Sequence, residues 1–190
     1  MRALPVLSLV LLAALPAAAA RADRQMDPEL RSVIAGAITP ADCFEDKYEQ
    51  AVWLAYMEPR LGRYVKDPGE REQILHHVHC EAKRAELPPE LVLAVMDVES
   101  RFNRYAVSSA GAVGLMQVMP FWPKELGMTN SQLVRVSDNI RMGTTILSYY
   151  LRKERGNYQR ALQRYNGSLG RPNYSDLVID RLVSRWRYAY

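Results

Sequence analysis

The chain has 190 residues, of which 48% are hydrophobic, and a formal net charge of +4. This length is typical of one domain with an extension, and the apolar content is sufficient for a core. The positive charge is too small and too evenly spread to indicate a nucleic-acid-binding protein.

The first twenty residues have the pattern of a secretory signal peptide. Arg2 supplies the positive start, Leu4 to Leu15 form the apolar stretch, and Ala18-Ala19-Ala20 form a small-residue cleavage site. The apolar run is too short and too interrupted by proline for a membrane span, and no cysteine follows the cleavage site to carry a lipid. We therefore expect an exported protein, periplasmic or extracellular, without a stable membrane anchor.

Residues 21–73 are predicted to form a partly helical N-terminal extension. The spacing of apolar residues predicts an amphipathic helix from Asp42 to Arg63 that ends near Pro59 and Gly62. The side chains expected to face inward are Phe44, Tyr48, Val52, Ala55 and Met57. Asp67-Pro68-Gly69 is predicted to be a turn before the next helix, which is expected over Ile74 to Glu86.

Two cysteines, Cys43 and Cys80, remain after the leader. An even count in an oxidising compartment favours one disulfide, which would tie the extension to the following helix. Two separate buried thiols are the alternative.

Three histidines precede Cys80 on this predicted helix, at His76, His77 and His79. His76 and Cys80 have the spacing that could share a metal ion, but exposed or capping histidines explain the cluster more simply. We therefore predict no metal site and no cofactor.

The next helix begins at Leu87-Pro88-Pro89-Glu90, where proline suits the first turn and Glu90 suits the positive end of the helix dipole. At 100° per residue, one broad arc carries the apolar residues Leu91, Val92, Val95, Met96 and Val98. Asp97 falls on the opposite side. Glu99 lies near the middle of the apolar arc.

A carboxylate on a core-facing arc is costly to bury in its ionised form. It should find a partner or take a raised pKa, and a raised pKa suits a general acid. The alternative is that Glu99 lies at a frayed helix end and bends out to solvent.

The loop after this helix, S-S-A-G-A-V-G, contains Gly111 and Gly114, which allow a positive φ or a close backbone approach. Ser108 and Ser109 add short hydroxyl groups that could bond a carboxyl group or a ligand. The phosphate-binding patterns are absent, and a tight structural turn would explain the glycines equally well.

Three more helices are expected, over Asn139 to Arg152, Tyr158 to Tyr165 and Asp176 to Tyr190. The residues expected to face inward on the last helix are Leu177, Val178, Leu182, Val183 and Trp186. The sequence therefore predicts a mainly α fold, with at most a small β-hairpin near residues 106–119.

The run E-S-R-F-N-R-Y-A-V-S-S-A-G-A-V-G-L-M-Q-V-M-P, from Glu99 to Pro120, resembles the core signature of the soluble-type lytic transglycosylases, which are similar to goose-type lysozymes. The segments N-I-R-M-G-T-T-I-L-S-Y-Y and A-L-Q-R-Y-N-G resemble the later motifs of that family. The likeness runs from about Ile74 to Tyr174. It implies a lysozyme-like catalytic domain over residues 74–190 that cleaves peptidoglycan between N-acetylmuramic acid and N-acetylglucosamine.

The resemblance also implies roles for individual residues. Glu99 is the expected catalytic acid and base. The expected substrate-binding residues are Ser108, Gln117, Met119, Tyr150, Tyr165 and Asn166. The chain departs from the family pattern at Phe121-Trp122, where a small or hydroxyl residue is usual, and at Gly167-Ser168-Leu169-Gly170.

Ordinary glycosidases use two carboxylates, about 5–9.5 Å apart. Here Asp97 points across its helix, and Glu125 and Asp138 are distant from Glu99 in sequence. One carboxylate fits the family mechanism, in which the C6 hydroxyl of the muramic residue closes a 1,6-anhydro ring without consuming water.

Two alternatives remain open at this point. A lysozyme-type hydrolase on the same fold would need a positioned water and a second acid. The second alternative is a non-enzymatic role, either as a wall-binding module or as an assembly factor for an envelope-spanning machine. The expected partner is the peptidoglycan glycan strand, with an envelope-spanning secretion or pilus machine as a further candidate.

Overall fold

A computed structural model gives the fold over residues 28–36, 47–125 and 129–188, without the side chains of residues 47, 49, 124, 125 and 130. Its α-helices are α1 (Pro28–Gly36), α2 (Lys47–Leu61), α3 (Pro68–Arg84), α4 (Pro89–Glu99), α5 (Phe121–Glu125), α6 (Val136–Lys153), α7 (Tyr158–Asn166) and α8 (Asn173–Arg181). A 3-10 helix (Asn130–Val134) precedes α6, and a π-helix (Leu182–Trp186) follows α8.

The predicted mainly α fold class is confirmed. Within the described ranges, β-structure is limited to two isolated antiparallel bridges, which pair Val113 with Val107 and with Val118. In place of the expected hairpin, the structure has a loop held by these single bridges. The helices that begin at Val136 and Tyr158 start within one turn of their predicted positions.

Helix α4 lies at the centre of the molecule. It begins at Pro89, as predicted, and packs against α3, α8 and the π-helix. Every residue from Leu91 to Asp97 is buried, including Leu93 and Ala94. A helix buried all round is typical of a core position, so a single apolar arc was too narrow a description.

Helix α3 begins six residues earlier than predicted. Asp67 is its N-cap, and its carboxylate accepts a hydrogen bond from the Glu70 backbone N–H at 2.7 Å. Pro68 occupies the first turn of α3. Backbone N–H groups there have no partner within the helix, so the missing N–H of proline costs no hydrogen bond. The predicted Asp67-Pro68-Gly69 turn is therefore wrong, because these residues start the helix.

The predicted inward side of α2 is also wrong. Tyr48 is 85% exposed, Val52 is 59% exposed and Ala55 is exposed, whereas Trp53, Met57 and Leu61 are buried. Met57 was placed correctly, and Phe44 lies outside the described residues. Pro59 lies within the helix and does not end it.

The C-terminal helix changes its winding. It is α-helical from Asn173 to Arg181 and π-helical from Leu182 to Trp186. Val178 and Trp186 are buried as predicted, but Leu177 and Val183 are 40% and 59% exposed. Leu177 lies in the α-helical part and Val183 follows Leu182, so both flank the stripe of Val178, Leu182 and Trp186 that faces the core, and this stripe is narrower than the sequence predicts.

The described part of the N-terminal extension shares the core of the rest of the chain. Helix α1 packs against α6 and α2 packs against α3, and Leu30, Ile34 and Met57 are fully or almost fully buried. The predicted boundary between residues 73 and 74 falls inside α3, and the domain division stays a prediction.

The proposed leader, Met1 to Ala20, lies outside the described residues. No helix in the described ranges is both long enough and apolar enough to cross a membrane.

Candidate active site

A cleft of about 310 Å³ opens beside the C-terminal end of α4. It brings together all seven residues that the sequence predicts for catalysis and substrate binding: Glu99, Ser108, Gln117, Met119, Tyr150, Tyr165 and Asn166. The remaining lining residues are Ala110, Ala112, Val118, Phe121, Trp122, Ile146 and Arg164. The structure therefore places these residues at one site, while their individual roles stay predictions.

Glu99 is half-buried at the last position of α4. The Tyr174 hydroxyl, on α8, donates a hydrogen bond to Glu99 Oε1 at 2.6 Å. The carboxylate therefore has a partner in the fold and does not simply bend out to solvent. Tyr174 follows Glu99 by 75 residues, and the sequence analysis did not identify it.

Two tyrosine hydroxyls are held near the carboxylate. The Tyr165 hydroxyl donates to the Met116 carbonyl oxygen at 2.7 Å. Burial raises the pKa of both Tyr165 and Tyr174 well above the usual value, and the nearby charge of Glu99 raises both further. Both phenols therefore stay protonated at physiological pH and act as hydrogen-bond donors.

The Gly-rich loop forms one wall of the cleft. The Ser108 backbone N–H donates to the Ala112 carbonyl oxygen at 2.9 Å, and the Ser108 hydroxyl accepts from the Ala112 N–H at 3.0 Å. Gly111 and Gly114 both have a φ of +84°, as the sequence predicts. A Cβ on Gly114 would lie 2.4 Å from the Leu133 carbonyl oxygen, so this close approach requires glycine.

The Gln117 side chain is folded back onto the same loop. Its Nε2 donates to the carbonyl oxygens of Gly114, at 2.9 Å, and Ala106, at 3.1 Å. Because both amide protons are used within the protein, the amide oxygen is the group that Gln117 can offer to a ligand.

Asn139 joins the cleft wall to α6. Its side chain is almost fully buried, accepts from the Met116 N–H at 2.8 Å, and donates to the carbonyl oxygens of Val113 and Leu133 at 2.9 and 2.8 Å. Buried amides are stable only when their polar groups are paired. Asn139 thus fixes the loop that carries Gln117 and Met119.

The Phe121-Trp122 pair lines the cleft beyond Met119. The two ring centroids are 4.7 Å apart, and Trp122 is 7% exposed. Trp122 therefore packs mainly into the core, and the half-buried Phe121 is the ring of the pair that a ligand in the cleft can contact.

Asp97 lies away from this cleft. Its carboxylate oxygen Oδ2 accepts from Trp186 Nε1 at 3.1 Å, and from Arg185 Nη1 and the Tyr64 hydroxyl at 3.3 Å each. Burial opposes the charge of Arg185, but its hydrogen bond to Tyr64 and the nearby Asp97 outweigh that effect and raise the pKa of Arg185. Asp97 is therefore a buried anchor for the C-terminal segment.

Asp138 does not line the cleft either, and it pairs with Arg135 at 3.7 Å. The Glu125 side chain lies outside the described residues. Among the acidic side chains that the structure describes, Glu99 is the one that faces the cleft.

Among the described residues there is no group of three side chains suited to hold a metal ion. His76 Nε2 lies 3.7 Å from Cys80 Sγ. Cys43 lies outside the described residues, so its disulfide with Cys80 stays a prediction.

The family comparison agrees with this geometry. The model of the transglycosylase SLT domain family matches residues 77–175, which is just over half of the chain. The chain therefore belongs to the transglycosylase SLT domain family. The matched region includes the end of α3, all of α4 and every predicted substrate-binding residue.

Individual relatives match shorter stretches. The chain is 56% identical over 48 residues to membrane-bound lytic murein transglycosylase C of Actinobacillus pleuropneumoniae serotype 5b (strain L20), covering 25% of this chain and 13% of that one. It is 38% identical over 88 residues to the transglycosylase of Enterobacteria phage PRD1, covering 46% and 32%. The chain thus spans less than a third of the length of these relatives.

Among solved structures, an inactive mutant of lytic transglycosylase Slt from Pseudomonas aeruginosa is 30% identical, with a TM-score of 0.47. The likeness covers 56% of this chain and 20% of that one.

Proposed function

We propose that this protein is a peptidoglycan lytic transglycosylase with Glu99 as its single acid and base. The observation that carries the proposal is that Glu99 is the acidic side chain, among those described, that lines the cleft. Membership of the transglycosylase SLT domain family and the names of the relatives support the same reaction class.

In the proposed reaction, Glu99 protonates the glycosidic oxygen between N-acetylmuramic acid and N-acetylglucosamine. The N-acetyl group of the muramic residue supports the developing oxocarbenium centre. The carboxylate of Glu99 then removes the proton of the C6 hydroxyl of the same sugar, and that oxygen bonds to the anomeric carbon.

Two features favour this route over hydrolysis, one of the protein and one of the substrate. A retaining glycosidase needs a second carboxyl group about 5–5.5 Å away and an inverting one about 6.5–9.5 Å away, whereas the described carboxylates of Asp97 and Asp138 face elsewhere. The C6 hydroxyl is tethered to the reacting sugar, so it competes with water at a high effective concentration.

Product analysis tests this proposal. Purified sacculi are digested with the protein, and the released muropeptides are analysed by mass spectrometry. We expect 1,6-anhydromuramic ends, which lack one water relative to reducing ends. Predominantly reducing ends would instead support a lysozyme-type hydrolase, and no release at all would support a non-enzymatic wall-binding role.

We also propose that the protein acts in the periplasm or at the cell wall. The leader pattern of residues 1–20 supports export, and the proposed substrate is located in that compartment. Local opening of the wall for a secretion or pilus machine is one use of this activity. Retention of a fluorescent fusion in the cytoplasm would contradict the proposed location.

A further inference from the structure

One cation stands out among the described residues that line the cleft. Arg164 precedes Tyr165 on α7 and borders the same space as Glu99. Its side chain is 23% exposed, so the guanidinium is partly withdrawn from solvent but still accessible. A partly buried guanidinium attracts an anion more strongly than a fully solvated one does.

The Arg164 guanidinium is held by a hydrogen bond from its Nε atom only. Its Nε donates to Glu154 Oε1, and the Nε of Arg160, one turn earlier, donates to Glu154 Oε2. Within the described residues, the Nη groups of Arg164 make no hydrogen bond. They are therefore available to a ligand in the cleft.

The charges of this cluster do not cancel. Hydrogen bonds from Arg160 and then from Arg164 lower the pKa of Glu154, so that side chain is a carboxylate at neutral pH. One carboxylate between two guanidinium groups leaves one net positive charge. An orienting carboxylate on Nε also directs the paired Nη donors outward, as a bidentate acceptor requires.

We propose that Arg164 forms a carboxylate-binding subsite of the cleft, which recognises an acidic group on the muramic residue or on its peptide. This inference rests on the proposed function, because it takes the glycan strand as the ligand. Muramic acid carries a lactyl ether whose carboxyl group is either free or joined to a peptide, and that peptide has its own carboxylates. Both sources present the same planar anion to the guanidinium.

Three forms of the substrate test the subsite. Soluble glycan strands that carry peptides are compared with the same strands after carbodiimide coupling to ammonia, which converts carboxylates to amides. Strands stripped of peptide by an amidase supply the third form, in which the lactyl carboxylate is free. KM and kcat are measured for each form with the wild-type protein and with two variants.

The variants are Arg164→Gln and its matched control Arg160→Gln. Both remove one positive charge from α7 and one partner from Glu154, but only Arg164 borders the cleft. We expect Arg164→Gln to raise KM about tenfold on the strands that present the recognised carboxylate, because a charged hydrogen bond contributes about that much to affinity. The effect should disappear on amidated strands, and Arg160→Gln should change KM less than about twofold.

The stripped strands identify the source of the carboxylate. The lactyl carboxyl group is an amide wherever a peptide is attached, so a KM effect of Arg164→Gln that is confined to stripped strands assigns the lactyl group. An effect that is present on peptide-bearing strands and lost on stripped strands assigns the peptide. If Arg164→Gln does not fold, Arg164→Lys keeps the charge without the paired donors and should give an intermediate KM.

Equal losses on charged and amidated strands, or equal losses in both variants, would overturn the subsite. Failure of the proposed function has a different signature, since the wild-type protein would then release no anhydro products from any strand.

Discussion

Two carboxylates on α4, two residues apart, lie in opposite surroundings. Asp97 is enclosed by Trp186, Arg185 and Tyr64, and its oxygen is used entirely within the protein. Glu99 receives a hydrogen bond from Tyr174 and borders the cleft. The same chemical group is thus an anchor on one side of the helix and a candidate acid on the other.

This difference follows from what packs on each side of α4. The π-helix brings an indole N–H and a guanidinium to Asp97, and both are complementary to a permanent negative charge. On the side of α4 that carries Glu99, a loop and Tyr174 pack nearby, and the carboxylate remains open to the cleft. A carboxylate that must change its protonation state needs such an open direction, whereas a structural carboxylate does not.

Among the changes that test the contrast between Asp97 and Glu99, loss of the Glu99 carboxyl group should have the largest effect on activity. We expect Glu99→Gln to lower turnover of sacculi by at least about 10²–10⁴-fold, because an essential general acid is removed. The melting temperature should stay close to that of the wild type, since the amide still accepts from Tyr174. Near wild-type clearing of sacculi by this variant would disprove the assignment of Glu99.

The predicted disulfide is the second test, because its loss should change stability and leave catalysis unaffected. If Cys43 and Cys80 are joined, reduction should lower the free energy of unfolding by about 2–4 kcal/mol. Activity measured well below the melting temperature should remain. Two thiols that react in the native exported protein under non-reducing conditions would show that the bond is absent.

The anchor side is tested by Asp97→Asn. The amide still accepts from Trp186 but loses its charge opposite Arg185, which is 41% exposed, so we expect a loss of about 1–2 kcal/mol in unfolding free energy. Chemical denaturation measures that loss. The folded variant should keep most of its activity, and a large activity loss at unchanged stability would indicate that Asp97 takes part in catalysis.

The smallest expected effect concerns the partner of Glu99. Tyr174→Phe removes the donor to Oε1, and we expect kcat to fall about fivefold because one hydrogen bond to a half-buried carboxylate contributes about 1 kcal/mol. Tyr149→Phe is the control, since its buried hydroxyl donates to Glu29 and its side chain does not line the cleft. Equal loss of kcat in the two variants would mean that Tyr174 acts only through general packing.

The candidate site was largely predictable because most of its residues lie in short motifs. Glu99, Ser108, Gln117 and Met119 lie within 21 residues of one another in the sequence. Tyr174, Asn139 and Arg164 were not identified as site residues. Their contribution depends on how α6, α7 and α8 pack against the loop, which the sequence pattern alone does not specify.

The errors in the fold have physical causes as well. Helix α2 carries two apolar stripes, one through Tyr48 and Val52 and the other through Trp53 and Met57. Periodicity does not choose between them, and the structure buries the stripe with the indole. In the C-terminal segment, the core-facing stripe runs through Val178, Leu182 and Trp186 and leaves Leu177 and Val183 at its exposed edges. Periodicity gives the direction of such a stripe but not its width.

Helix α6 passes so close to the cleft wall that a Cβ on Gly143 would lie 2.4 Å from Met116 Sδ. The backbone of α6 at Gly143 therefore limits how far the segment that carries Gln117 and Met119 can move away from the cleft. A side chain at position 143 would push this segment toward the cleft, so the missing side chain of one buried glycine protects the site from behind.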